Sequence, residues 1–226
     1  MSILFRCSQL GNLMTNGRGK SGEMGETAKG YVRDLWRQTE YGYQEEVMTD
    51  EMLKGHLCEQ DSLALVQKVL GGEFRPKNTL RLQNDYITGT PDVILKREDF
   101  VEDVKTSYNL RTFSESAMIP AYFWQAMGYL WLSGKTKYRL IYCLVPTPDE
   151  LITEQKKRFY FRFNCDESNP DYVRISDQID HNNNLISTIS DEKRIKVFEF
   201  DFEPEKIEML KDRVGLARQY YKTLTL

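Results

Sequence analysis

No apolar run in this sequence approaches the roughly 18 residues that a membrane-spanning helix requires. The stretch from Met1 to Cys7 lacks the long apolar segment of a secretion signal. Cysteine is sparse: Cys7, Cys58, Cys143 and Cys165 are widely separated, with no C-x-x-C pair. Histidine is sparser still, with only His56 and His181. These scarcities exclude a His-rich zinc site and a four-cysteine iron–sulfur cluster. They imply free thiols in a reducing cytoplasm. Positive charge is also short: 31 Lys and Arg face 34 Asp and Glu, a net charge of −3. A uniformly basic nucleic-acid binder is therefore excluded, whereas local basic clusters are not. Candidate clusters are Arg18, Lys20, Lys29 and Arg33, and Lys135, Lys137 and Arg139.

What is present suffices for a sizeable core. The chain has 226 residues, of which 40% are hydrophobic and 29% charged, and it carries no internal repeat or long linker. One compact domain is expected, with a core over about 26–148 and C-terminal strands and a helix over 157–222. Residues 15–30 are Gly-rich and read as a loop, with a helix beginning at Glu26 through Ala28, Tyr31, Val32, Leu35 and Trp36. A second helix is predicted from Asp50 to Leu70, stopped by Gly71 and Gly72. Its Glu59 falls on the apolar face among Leu63, Val66 and Leu70, so it needs a partner. Strands are predicted at Arg81–Ile87, Asp92–Leu95, Phe100–Thr106 and Tyr138–Val145, with a turn at Gly89-Thr90-Pro91. A helix is expected from Pro120 to Ser133. Lys157–Phe163 and Arg194–Phe202 alternate like a strand pair, with a polar, loop-rich segment from Asp166 to Asp191 between them. Pro204 opens a last helix carried by Ile207, Leu210, Val214 and Leu216. The order implies an α/β (α+β) single domain, a mixed central sheet flanked by helices.

The chemistry concentrates in Gly89-Thr90-Pro91-Asp92 and Asp103-Val104-Lys105. In a strand, residues i and i+2 share a face, so Asp103 and Lys105 point together while Val104 faces the core. Asp92, opening the preceding strand, can meet Asp103. Two adjacent carboxylates repel unless a cation lies between them, and hard oxygen ligands suit Mg²⁺ or Mn²⁺. A neighbouring lysine can orient water or stabilise phosphoryl charge, so the set reads as a metal-assisted phosphodiesterase site. Glu102 points to the opposite face and reads as structural. Gly19-Lys20-Ser21 imitates the end of a phosphate-binding loop, but Met14 stands where that motif needs glycine. Tyr122, Phe123, Trp124, Tyr129 and Trp131 have core spacing, although such rings can also stack on bases.

Several blocks then carry a family resemblance. They are Arg6 through Met14, Glu26-Thr27-Ala28-Lys29, Lys54-Gly55 with Glu59, Gly89 through Asp92, and Asp103 through Ser107. A last block holds Tyr122, Trp124, Gln125, Gly128, Tyr129, Trp131 and Leu132. In order and spacing they resemble the PD-(D/E)XK nuclease superfamily, within it the YqaJ-like viral recombinase and lambda-type phage exonuclease group. The resemblance runs to about Pro148. It implies a restriction-endonuclease-like core and a Mg²⁺-dependent deoxyribonuclease, with Mn²⁺ able to substitute. The implied activity is a 5′→3′ exonuclease on double-stranded DNA ends, serving phage-type recombination by single-strand annealing in a bacterial or host cytoplasm. Carried over, Asp92, Asp103, the Val104 carbonyl and Glu59 hold the metal. Lys105 handles the water and transition state, Gln125 supports the site, and Arg6 and Ser8 meet the DNA 5′ phosphate. Asp103 stands where close relatives often carry Glu, which shifts metal geometry. A homotrimer and an annealing-protein partner are also implied. The alternatives are a structure-selective or nicking endonuclease on the same core and a non-catalytic DNA-end-binding module. The complete Asp92, Asp103 and Lys105 set speaks against the second.

Overall fold

The computed structural model describes residues 3–163 and 167–226. The free-thiol reading of Cys165, the reading of Met1 and the side chain of Lys20 lie outside the described residues. The chain opens with β1 (Phe5–Arg6), a 3₁₀ turn at Cys7–Gln9, α1 (Leu10–Leu13), β2 (Asn16–Gly17) and β3 (Lys20–Met24). Helices α2 (Glu26–Tyr41), α3 (Asp50–Leu57) and α4 (Glu59–Leu70) follow. Then come β4 (Leu82–Gln83), β5 (Ile87–Gly89), β6 (Val93–Ile94), β7 (Phe100–Thr106), α5 (Leu110–Ser114), α6 (Pro120–Ser133) and β8 (Lys137–Cys143). The chain closes with α7 (Asp149–Phe163), α8 (Pro170–Thr188), β9 (Ile195–Asp201) and α9 (Pro204–Tyr221).

The central sheet has the order β6-β7-β8-β9 and is mixed: β7 and β8 run parallel, and both outer pairs are antiparallel. A smaller sheet, β1-β5-β4, adjoins it, and β2 and β3 form a hairpin. The parallel β7–β8 pair needs a crossover, and α5 and α6 supply it. Helix α6 is apolar on nearly all sides and lies at the centre of the main core, where Ala126, Met127, Tyr129 and Leu130 are buried with Leu10, Ile87, Tyr138 and Leu140. Strand β8 is buried from Leu140 to Cys143, as its unbroken apolar run requires. The aromatic residues of α6 belong to this core: Tyr129 is buried, and Tyr122, Phe123, Trp124 and Trp131 pack against it. Cys7, Cys58 and Cys143 are free, buried thiols. Among the described residues no helix is long and apolar enough to cross a membrane.

Several expected elements differ. The 50–70 helix is two helices broken at Cys58, whose ψ of 11° departs from helical geometry. The 81–87 strand is a hairpin, because the Asn84 side chain accepts from the Tyr86 and Ile87 N–H groups and turns the chain. The Gly-rich 15–30 segment holds the β2–β3 hairpin and the start of α2 rather than only a loop. Lys157–Phe163 is the last part of α7, not a strand. Over the longer window Leu151, Ile152, Gln155 and Lys156 face inward at helical spacing, which overrides the local alternation. The supposed loop after it holds α8, whose N-terminus is capped by Asn169 accepting from Asp171 and Tyr172 N–H. In α9 the buried stripe is Ile207, Leu210, Val214 and Ala217, while Leu216 is exposed.

Candidate active site

The ladder between β6 and β7 pairs Val93 with Glu102, which places Asp92, one residue earlier, beside Asp103. Strand β6 is so short that it leaves the Val104 N–H without a backbone partner. The Asp92 carboxylate takes it: Val104 N–H donates to Asp92 Oδ2 at 2.8 Å. Burial, then the charge of Asp103, pushes the Asp92 carboxyl up to about 7, against the pull of Lys105 and the Val104 N–H. Asp103 is only 2% exposed. Its Oδ1 accepts from Gln125 Nε2 at 3.2 Å, and its Oδ2 is ion-paired with Lys105. Beyond that ion pair, Oδ2 has no hydrogen-bond donor among the described residues. Burial works against the Lys105 charge, but Asp103 and Asp92 outweigh it and raise the ammonium above the ordinary lysine range. The Tyr122 ring lies against Lys105, 5.4 Å from Nζ to the centroid.

This donor set fits a hard divalent cation. The buried Asp103 carboxylate and the half-buried Asp92 carboxylate lie side by side, and Asp103 Oδ2 has the Lys105 ammonium as its one partner among the described residues. Glu59 is not gathered into the pair. It opens α4 just after the break at Cys58, is partly exposed, and its Oε2 is ion-paired with Lys77. Among the described residues no three or more His, Cys, Asp or Glu side chains come together as a ready metal cluster. Its partner Lys77 precedes Asn78, whose N–H donates to the Asp92 carbonyl, so Glu59 is tied to the neighbourhood of the site, and its charge is the least of the influences that raise the Asp92 carboxyl.

Behind the acids, α6 supplies a short relay. Gln125 Nε2 also donates to Tyr129 Oη at 3.3 Å, and Tyr129 Oη donates to the Thr90 carbonyl at 3.3 Å. The two residues are four apart and so share one helix face. Tyr129 counts only as core in the sequence, yet it ties the turn before Asp92 to the residue that holds Asp103. Val104 packs its side chain against Leu63 and Val66, the face opposite Asp103. Glu102, on that same opposite face, is fully buried against Arg75 at 2.8 Å and Arg139 at 3.1 Å.

Arg6 and Ser8 are exposed at the start of the smaller sheet. Arg6 pairs opposite Thr88, four residues before Asp92, a span of at most about 14 Å of extended chain. Its backbone N–H donates to Tyr31 Oη at 3.0 Å, and among the described residues no carboxylate ion-pairs with its guanidinium. It borders a cleft of about 1160 Å³ that Trp36, Tyr41 and Met48 also line. The basic candidates are more committed. Lys29 and Arg33 pair with Glu26, Arg139 is enclosed by Glu98, Glu102 and Glu199, and Lys135 donates to the Glu98 carbonyl.

No family model and no curated protein matches this chain. Among solved structures it is similar to a phage-related exonuclease from Haemophilus somnus 129PT, at 24% identity and a TM-score of 0.77, over 98% of this chain and 94% of that one. It is also similar to an alkaline exonuclease, LHK-Exo, from Laribacter hongkongensis, at 12% identity and a TM-score of 0.62, over 97% and 88%. The complex of LHK-Exo with dAMP matches to the same degree. The chain thus has the fold of these exonucleases over nearly its whole length.

Proposed function

We propose that this protein is a Mg²⁺-dependent deoxyribonuclease that degrades double-stranded DNA from its 5′ ends. The observation that carries the proposal is the Asp92–Asp103–Lys105 cluster, with its buried carboxylate oxygen, set in a fold shared with solved exonucleases. Asp92 and Asp103 hold the cation, with the Val104 carbonyl and Glu59 as further oxygen donors. A cation bound there supplies Lewis-acid activation of water and neutralises charge at the scissile phosphate. Lys105 keeps its charge beside both acids and stabilises the negative charge that grows on the phosphoryl oxygens. Gln125 fixes the Asp103 carboxylate through Oδ1, so the other oxygen stays aimed at the site. Arg6 and Ser8 anchor the terminal 5′ phosphate. The resemblance to lambda-type exonucleases extends the proposal to a homotrimer that works with a single-strand annealing protein in recombination.

The test is the initial rate on linear duplex DNA with 5′-phosphate or 5′-hydroxyl ends and on closed circular DNA. Linear DNA should be degraded with Mg²⁺, and EDTA should stop the reaction. Asp92→Ala and Asp103→Ala should each remove at least about 1000-fold of the rate while the fold persists by circular dichroism, since each removes a charged cation ligand at the reacting centre. Comparable cleavage of closed circles makes the enzyme an endonuclease. Full activity of either variant overturns the site.

A further inference from the structure

No sequence pattern marks Lys77, which lies 18 residues after Glu59 in the chain, yet it holds the carboxylate of Glu59. The segment that carries it is fastened to the strand bearing Asp92. Asn78 donates its backbone N–H to the Asp92 carbonyl at 2.7 Å and its side-chain amide to the Pro91 carbonyl at 3.0 Å. These two bonds hold the backbone beside Lys77 against residues 91 and 92, from where its side chain reaches Glu59. Among the described residues Glu59 has no other cationic partner, and Lys77 has no other acidic one. Both side chains stay partly open to solvent, Lys77 at 42% and Glu59 at 28%, so the pair can exchange partners. A lysine suits such exchange better than an arginine, because it is a single mobile charge with no two-pronged grip on the carboxylate.

We propose that Lys77 is a positioning residue that competes with a divalent cation for the Glu59 carboxylate and thereby sets how tightly the Asp92–Asp103 site holds that cation. The inference rests on the metal-dependent reading above. A cation that draws Glu59 into its coordination must release it from Lys77. The affinity of the site is therefore reduced by the strength of that ion pair. For a partly exposed pair this amounts to about two- to five-fold. The fold here trades some affinity for a third carboxylate kept in a defined place.

The experiment is a Mn²⁺ titration, read by the spin-resonance signal of free Mn²⁺ and by calorimetry, with no DNA and no turnover. It compares wild type, Lys77→Met, Lys77→Gln, Glu59→Gln and the Lys77→Met/Glu59→Gln double variant, each checked for folding by circular dichroism. Both Lys77 variants should bind Mn²⁺ about two- to five-fold more tightly than wild type. Glu59→Gln should bind more weakly, and adding Lys77→Met to it should change nothing further, because the competed carboxylate is gone. Unchanged or weaker binding by the Lys77 variants overturns the inference while leaving the metal site intact. So does tightening that persists in the double variant, which makes Lys77 a general repulsive charge. Absence of Mn²⁺ binding by folded wild type overturns both the inference and the metal-dependent reading.

Discussion

Lys105 and Lys54 show how differently one residue type is used. Lys105 sits with two carboxylates that hold its charge in place. Its charge serves the transition state more than substrate binding, so Lys105→Ala should lower kcat by at least about 100-fold. The DNA dissociation constant, measured with Ca²⁺ in place of Mg²⁺, should change less than about three-fold, under 1 kcal/mol. Equal losses in rate and affinity make Lys105 a simple phosphate contact. Lys54 is fully buried, no carboxylate among the described residues pairs with it, and its Nζ donates to the Tyr108 and Val145 carbonyls at 2.8 Å each. Burial pushes its pKa down to about 8 from 10.5. A neutral amine still has two N–H groups for the two carbonyls. Between about pH 8 and 10.5 the unfolded chain therefore holds the extra proton, and this residue's contribution to stability rises with pH across that window. The unfolding free energy of wild type minus that of Lys54→Met should increase from pH 8 to pH 10.5 by up to about 3 kcal/mol. A flat or falling difference contradicts the assignment.

At the scale of elements, close approach decides where the acids stand. β5 delivers Asp92 through Gly89, and Gly89 is pressed between α6 and the 3₁₀ turn. A Cβ there would lie 2.6 Å from Tyr129 Cε1 and 2.9 Å from Cys7 Sγ. Gly128 is equally crowded, with Leu10 Cδ1 at 2.7 Å. Gly89→Ala should therefore push Tyr129 off the Thr90 carbonyl and cost about 1–3 kcal/mol of stability by urea denaturation. It should also lower the cleavage rate more than Gly30→Ala, a control glycine whose added Cβ meets nothing closer than 3.8 Å. On the other side of the sheet, Arg75 grips both Glu102 and the Gly71 carbonyl, so the exit of α4 is tied to the strand that carries Asp103. The acids are thus braced from both faces, by α6 on one and by a buried ion pair on the other.

For the whole molecule, the arrangement of the two sheets puts Arg6 on one and the acid pair on the other, joined by the short path from Thr88 to Asp92. A terminal phosphate monoester carries nearly two charges where an internal diester carries one, so a guanidinium without an acidic partner favours a phosphorylated end. Wild type should degrade 5′-phosphorylated duplex about 10-fold faster than hydroxyl-ended duplex, roughly 1.4 kcal/mol. Arg6→Ala should lose that preference while keeping basal hydrolysis. Run lengths on phosphorylated duplex check the same role, because a lost anchor shortens them. A preference retained by Arg6→Ala returns Arg6 to a structural part.

The amino-acid sequence alone was enough to reveal the α/β class, the strand holding Asp103 and Lys105, the shorter strand that Asp92 immediately precedes, and the helix from Pro120 to Ser133. These follow from local rules: strand alternation, proline and glycine punctuation, and the sharing of a face by residues two apart. The same local rules misread α7, where seven residues alternate by composition while the fifteen-residue helix buries a stripe at helical spacing. They also missed α8, whose polar sequence gains its helix from an asparagine cap and from packing on α7. At the site, chain spacing brought the two aspartates and Lys105 together, since all three lie within one hairpin. Lys77 at Glu59, Arg75 at Glu102 and Tyr129 at the Thr90 carbonyl join segments that are 18, 27 and 39 residues apart. Only the tertiary structure could decide those pairings, because a charge or hydroxyl finds its distant partner through the packing of whole elements, and that packing leaves no periodic trace in the chain.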